Sequence, residues 1–190
     1  MANFWSANNV EPKRNFRFQV QLGAAASAPI LWWAKTVTIP AFDVSEVEHD
    51  YLDNKFYFPG RVTWNEVSLT LVDPISVDAV SRTNQILVDS GYSVKDNENN
   101  LKTMSKKQAA ATAGPLPAVV ISVLNAEGVA IEVWTLRNAF LKSAKFGDLD
   151  YSSDDLRTVE MTVRYDWAEC DTSGNTDATP VTTETFFKPV

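Results

Sequence analysis

The chain has 190 residues, 45% hydrophobic and 22% charged, with 24 Asp and Glu against 17 Lys and Arg for a formal charge of −7. That size suits one domain able to bury its own core, and the composition is that of a folded globular protein. The acid excess argues against a surface built to neutralise phosphates and fits one that nucleic acid slides past. No apolar run approaches the ~20 residues needed to span a bilayer, and Met1-Ala2-Asn3-Phe4-Trp5 lacks the basic and apolar regions of a signal peptide. The expectation is a protein made and kept in a cytosol, without membrane binding.

Phe16, Phe18, Val20 and Leu22 alternate with Asn15, Arg17, Gln19 and Gln21, which predicts a half-buried strand over 15–22. A second strand is predicted over 31–39, closed by Pro40. Residues 44–51 and 55–58 read as the arms of a hairpin about Asp53-Asn54, with Pro59-Gly60 a further turn. The next strand ends in Val67, Leu69 and Leu71; Trp64 is out of phase with them, which predicts a bulge near Asn65 or Glu66.

Asp73-Pro74 has the form of a helix start, Asp at N-cap and Pro at N1, for one flanking helix over about 75–89 that Gly91 terminates. Residues 92–116 turn polar, then basic and alanine-rich, and read as a variable loop, an insertion or a short weak helix. Strands return at 118–124 and 129–137, joined by Asn125-Ala126-Glu127-Gly128. The first of these is apolar on both faces, so Val119, Val120, Ile121 and Val123 make it a candidate inter-subunit strand, one face on the core and one on a neighbour. Phe140-Leu141 lie in an aliphatic segment that leads to a polar turn over 147–155. The last strand, 158–167, alternates Val159, Met161, Val163, Tyr165 and Trp167 with polar residues. Domain boundaries follow at 1–168, with a C-terminal extension over 169–190.

Chemistry is sparse. His49 is the only histidine, and strand alternation turns Glu48 and Asp50 away from it. Cys170 is the only cysteine, so neither an internal disulfide nor a thiolate zinc cluster can form, and its acidic neighbours Glu169 and Asp171 raise its pKa. Asp148/Asp150 and Asp154/Asp155 lack the rest of a calcium-loop pattern and read as turn formers. No nucleophile elbow, phosphate-cradling loop or dinucleotide fingerprint is present. No catalytic residue, metal or cofactor is expected. One charged cluster stands out: Asp43, Glu46, Glu48, Asp50 and Asp53, either the solvated face of a hairpin or a wall that repels DNA.

Two stretches carry a family resemblance. The first runs from Pro40 through Asn54-Lys55, Pro59-Gly60, Trp64 and Val67-Ser68-Leu69-Thr70-Leu71 to Asp73. The second is Asp148-Leu149-Asp150-Tyr151-Ser152-Ser153-Asp154 followed by 159–167. With Asn15 to Val20 they resemble the tail tube proteins of contractile-tailed bacteriophages, over most of residues 12–168. The resemblance implies a mainly β, antiparallel sandwich or barrel-like subunit with one flanking α-helix and a long stacking hairpin. It implies partners too: further copies in stacked hexameric rings, the tail sheath, baseplate and tail terminator proteins, and phage DNA in transit without specific binding. The location implied is the virion, assembled in the bacterial host cytoplasm. Segments 92–116 and 169–190 depart from the family pattern, which leaves a baseplate tube-initiator ring as an alternative. A type VI secretion tube and a monomeric ligand-binding β-barrel are the others. The acidic cluster is a candidate for the lumen or for contacts between rings.

Overall fold

The structure, a computed structural model, describes residues 12–23, 34–76, 78–93, 103–110, 116, 118–174 and 185–186. Two antiparallel sheets share one core. The first has the order β1 (Phe18–Leu22), β6 (Ala118–Leu124), β7 (Ala130–Arg137), β10 (Trp167–Asp171) and β11 (Thr185–Phe186). The second has the order β2 (Ala34–Val37), β5 (Val67–Val72), β9 (Thr158–Arg164) and β8 (Phe140–Lys145). A separate two-stranded ribbon pairs β3 (Phe42–Tyr51) with β4 (Asn54–Trp64).

Alternation decides what faces inward. Val67, Leu69 and Leu71 on β5 and Val159, Met161 and Val163 on β9 are buried, while Ser68 and Glu160 between them are exposed. They meet Val20, Leu22, Val119, Ile121 and Leu136 of the other sheet in one apolar cluster. The segment expected as one strand over 158–167 is two. Tyr165 and Asp166 carry the chain from one sheet to the other, and Asp166 N–H donates to the Arg137 carbonyl at 3.1 Å to start the new pairing. The extension expected from 169 therefore enters the sheet: Ala168 and Cys170 are buried and β11 adds beside them.

Helix α1 (Ala79–Asp89) starts later than Asp73-Pro74 suggests. Asp78 is the N-cap, its carboxylate accepting from Val80 N–H at 2.9 Å, and Asp73 reaches across to accept from Ala79 N–H at 2.9 Å. The C-terminus ends as expected at Gly91, which has φ +99°. Tyr92 N–H bonds the Leu87 carbonyl and Gly91 N–H the Val88 carbonyl, the paired bonds of a Schellman cap. Within 92–116 a short helix α2 (Lys106–Ala109) docks through Ser105 N–H on the Ser90 carbonyl, and Lys106 pairs with Asp166 at 2.6 Å. Residues 94–102 and 111–115, like Leu31–Trp33 of the expected second strand, lie outside the described residues.

The hairpin also differs from expectation. Pro59 and Gly60 do not turn; β4 runs through them to Trp64. A proline costs little there because β4 pairs on one side only. The register shifts between Val44 and Glu46, and Ser45 fills the gap, its Oγ accepting from Arg61 N–H at 2.8 Å. Gly60 is required beside it: a Cβ there would stand 2.3 Å from Ser45 Oγ and 2.9 Å from its carbonyl oxygen. The break expected near Asn65 is the passage between two sheets, which is why Trp64 and Val67 are out of phase.

The core sets a stability prediction. Leu136 is fully buried between the sheets, so Leu136→Ala should cost ~2–5 kcal/mol in urea unfolding. Tyr151→Ser, on an exposed loop, should change it by no more than ~0.5 kcal/mol.

Candidate assembly surface

The ribbon stands out from the sandwich with no second layer. Every residue of β3 is exposed, and so is β4 up to Trp64. Its strands of 10 and 11 residues span roughly 30 Å at ~3.3 Å per residue. At the base, the Phe42 ring meets Trp64 edge-on at 5.4 Å between centroids, and Trp64 lies 6.1 Å from Tyr165 of the core. Asn65 N–H donates to the Ala41 carbonyl at 2.8 Å and closes the neck. At the tip Tyr51 pairs with Asn54, so the turn residues are Leu52-Asp53 rather than Asp53-Asn54. Leu52 has φ +52° and is 86% exposed, an unfavourable backbone for a bulky apolar side chain.

The register sorts the ribbon into two faces, because residues directly opposite share a face. Glu46, Glu48 and Asp50 stand opposite Pro59, Tyr57 and Lys55. Lys55 Nζ pairs with Glu48 and lies 3.9 Å from Asp50, so this acidic strip carries its own partial neutralisation. The other two acids of the sequence cluster are elsewhere. Asp43 alternates onto the opposite side of β3 at the neck, bonded by Asn65 Nδ2 at 2.8 Å, and Asp53 sits in the tip turn. The structure brings together three of the five.

The second face is apolar. Val47, His49 and Tyr51 oppose Phe58, Phe56 and Asn54. Val47 is 61% exposed, Tyr51 63%, Phe56 49% and Phe58 55%. Covering such side chains is worth ~1.5–3 kcal/mol each at full burial, and a contiguous apolar patch of this kind marks an interaction site. His49 sits within this patch, apart from the carboxylates next to it in sequence. The signal was available in the sequence as Val47, Tyr51, Phe56 and Phe58 on alternating positions, but the acidic residues between them draw the eye first.

Strand β6 meets this subunit's core with one face only. It lies between β1 and β7, so both of its edges are already paired. Val119 and Ile121 are buried in this subunit's own core, Val123 shares their face, and Val120 alone of the four turns to the far side. Cys170 is buried on β10 opposite Trp134. Burial first, then the Glu132 and Asp171 carboxylates, push its thiol up to about 11, with Lys13 opposing. Glu169, expected to raise the thiol as well, is not among these groups; its carboxylate pairs with Arg137 at 2.9 Å. Burial alone would raise Glu132, but hydrogen bonds from Lys13 and Trp134 and the Lys13 charge outweigh it and hold this carboxyl below its ordinary range. Among the described residues no three His, Cys, Asp or Glu side chains gather as a metal site, and no helix is long and apolar enough to cross a membrane.

Several solved structures share this fold. A chain of the anti-feeding prophage cap, its tube-terminating cap, superposes with a TM-score of 0.61 at 19% identity, covering 90% of this chain and 99% of that one. The sheath/tube terminator of the PVC extracellular contractile injection system gives 0.60 at 20% identity, covering 85% and 97%. A chain of the anti-feeding prophage baseplate gives 0.60 at 16% identity, covering 85% and 96%. No family model and no curated protein matches the chain. Its fold is that of tube-associated components of contractile injection particles. The resemblance to tail tube proteins carried by the sequence motifs agrees with it.

The raised thiol pKa has a measurable consequence. A group whose pKa rises to about 11 from an ordinary 9 holds about a hundredfold less thiolate at pH 8. Native Cys170 should therefore react with a chromogenic disulfide reagent at least that much more slowly than the urea-unfolded chain. Equal rates would contradict the buried placement.

Proposed function

We propose that this chain is a structural, non-enzymatic subunit that self-assembles into hexameric rings, stacked as the inner tube of a contractile phage tail. The observation that carries this reading is the ribbon β3–β4, which leaves the domain with an apolar face of Val47, Tyr51, Phe56 and Phe58 uncovered. A monomeric ligand-binding barrel has no use for such a projection, whereas in a stack it reaches the next ring and is covered there. The fold shared with cap, terminator and baseplate chains supports it, as does the six-fold symmetry applied to the anti-feeding prophage baseplate. The domain would assemble in the host cytoplasm and take its place in the virion beside sheath, baseplate and terminator proteins. The excess of acids, −7 in all, suits a conduit that DNA crosses during ejection without sticking.

A second reading is a specialised ring at one end of the tube, favoured by the likeness to a tube-terminating cap. A subunit of the repeating tube forms filaments of indefinite length; an end ring stops at one or two layers. Electron microscopy of the purified protein separates them, and lone globular particles at high concentration would sink both.

Substitutions on the ribbon test its two faces separately. Phe56→Ser with Phe58→Ser should abolish assembly while leaving the thermal midpoint of the monomer nearly unchanged, since both side chains are exposed there. Glu46→Lys, Glu48→Lys and Asp50→Lys together should leave rings intact and slow DNA release. Loss of assembly in this triple variant would instead make the acidic strip an interface.

A further inference from the structure

Two surface patches of the sandwich carry opposite charge. At the first, a cleft of about 440 Å³ opens between β1 and β2. Its rim holds Lys13, Arg14, Arg17 and Lys35 against one carboxylate, Glu132, which Lys13 already pairs. Its floor is apolar, with Phe18, Val37, Ile121 and Val123. Pairing places the β2 side of the cleft: Thr38 N–H bonds the Ser68 carbonyl at 3.0 Å near the ribbon's neck, while Lys35 lies between Ala34, opposite Leu71, and Thr36, opposite Thr70.

The loop 147–157 forms the second patch, beside the end of β5. Val72, the last residue of β5, pairs with Thr158, and Asp73 N–H donates to the Arg157 carbonyl at 3.0 Å. The loop carries Asp148, Asp150, Asp154 and Asp155, and between them Leu149 at 82% exposure, a fully exposed Tyr151 and Leu156 at 74%. It has a set shape. Asp150 accepts from Ser152 N–H at 2.9 Å and from its hydroxyl at 2.8 Å, and Ser153 Oγ accepts from Asp155 N–H at 3.2 Å. Four carboxylates and three apolar side chains are thus presented to water on one patch, and a basic rim over an apolar floor on the other.

We propose that the cleft receives the loop 147–157 of a second copy of this chain, Leu149 and Tyr151 entering the apolar floor and the Asp carboxylates facing Arg14 and Lys35. This rests on the assembly reading above and names the surfaces that meet. The contact joins two different patches, so it is heterologous and links copies head to tail, in a ring or a stack, instead of closing a pair. Acidic loop against basic rim also fixes polarity, because copies meeting cleft to cleft or loop to loop would oppose like charges.

A charge swap tests it. Arg14→Glu with Lys35→Glu, and separately Asp148→Lys with Asp154→Lys, should each raise the concentration at which assemblies sediment by about tenfold or more at moderate salt. The four changes combined should recover most of the parent's assembly. All four sites are exposed, and matching melting curves of the monomers confirm that each variant folds. Single-side variants that assemble like the parent, or a combined variant no better than the worse of the two, overturn the contact and leave the assembly reading standing. A parent that stays monomeric at every concentration overturns the assembly reading and the contact together.

Discussion

A two-stranded ribbon held only by its own ladder is marginal in water, and β3–β4 extends such a ribbon for about ten residues a strand. The aromatic neck of Phe42, Trp64 and Tyr165 fixes its root, but among the described residues nothing covers its length. Everything proposed for this protein depends on that imbalance. The sandwich behind it is self-sufficient, with a closed core drawn from both sheets and the helix. The ribbon is not, and in the proposed assembly a neighbouring copy supplies its missing layer.

Several local features make sense as means of aiming that ribbon. The Ser45–Gly60 bulge shifts the register partway along, and bulges increase twist and re-aim the strand beyond them. Beyond the bulge, the acids gather on one face, with Lys55 tempering them and Tyr57 and Pro59 among them, while Val47, Tyr51, Phe56 and Phe58 gather on the other. The same face division that exposes Phe56 and Phe58 therefore keeps the free subunit soluble on its other side. Ion pairs elsewhere brace the connections: Arg157 to Asp73 at 3.4 Å and Lys106 to Asp166 at 2.6 Å tie loops to the sandwich.

Much of the fold was legible in residues 18–22, 67–71 and 159–163, where alternation records burial on one face, although the strand expected from Asn15 begins only at Phe18 and leaves Phe16 75% exposed. The helix end was legible too, because Gly91 supplies a backbone angle that other residues resist. Other elements were hidden for physical reasons. Pro59-Gly60 is a turn signal in most contexts, and only the one-sided pairing of β4 lets it pass as strand. Tyr165-Asp166 interrupts no alternation, so the switch between sheets leaves no mark in the pattern. Strand β6 reads as apolar on both faces, yet only Val119 and Ile121 are fully buried in this subunit, and Val120 turns to the far side, which the sequence pattern alone does not distinguish. Of the candidate site, the acids were visible and the apolar face they interleave was not, since exposure cannot be read from composition alone.

The most direct measurement is amide hydrogen exchange across 42–64 as protein concentration rises. Burial of the ribbon by further copies predicts that protection at Val47 to Tyr51 and Phe56 to Phe58 appears together with assembly. The core strands β5 and β9, already protected, should stay unchanged. Assemblies in which the ribbon exchanges as fast as in the dilute monomer would contradict the account.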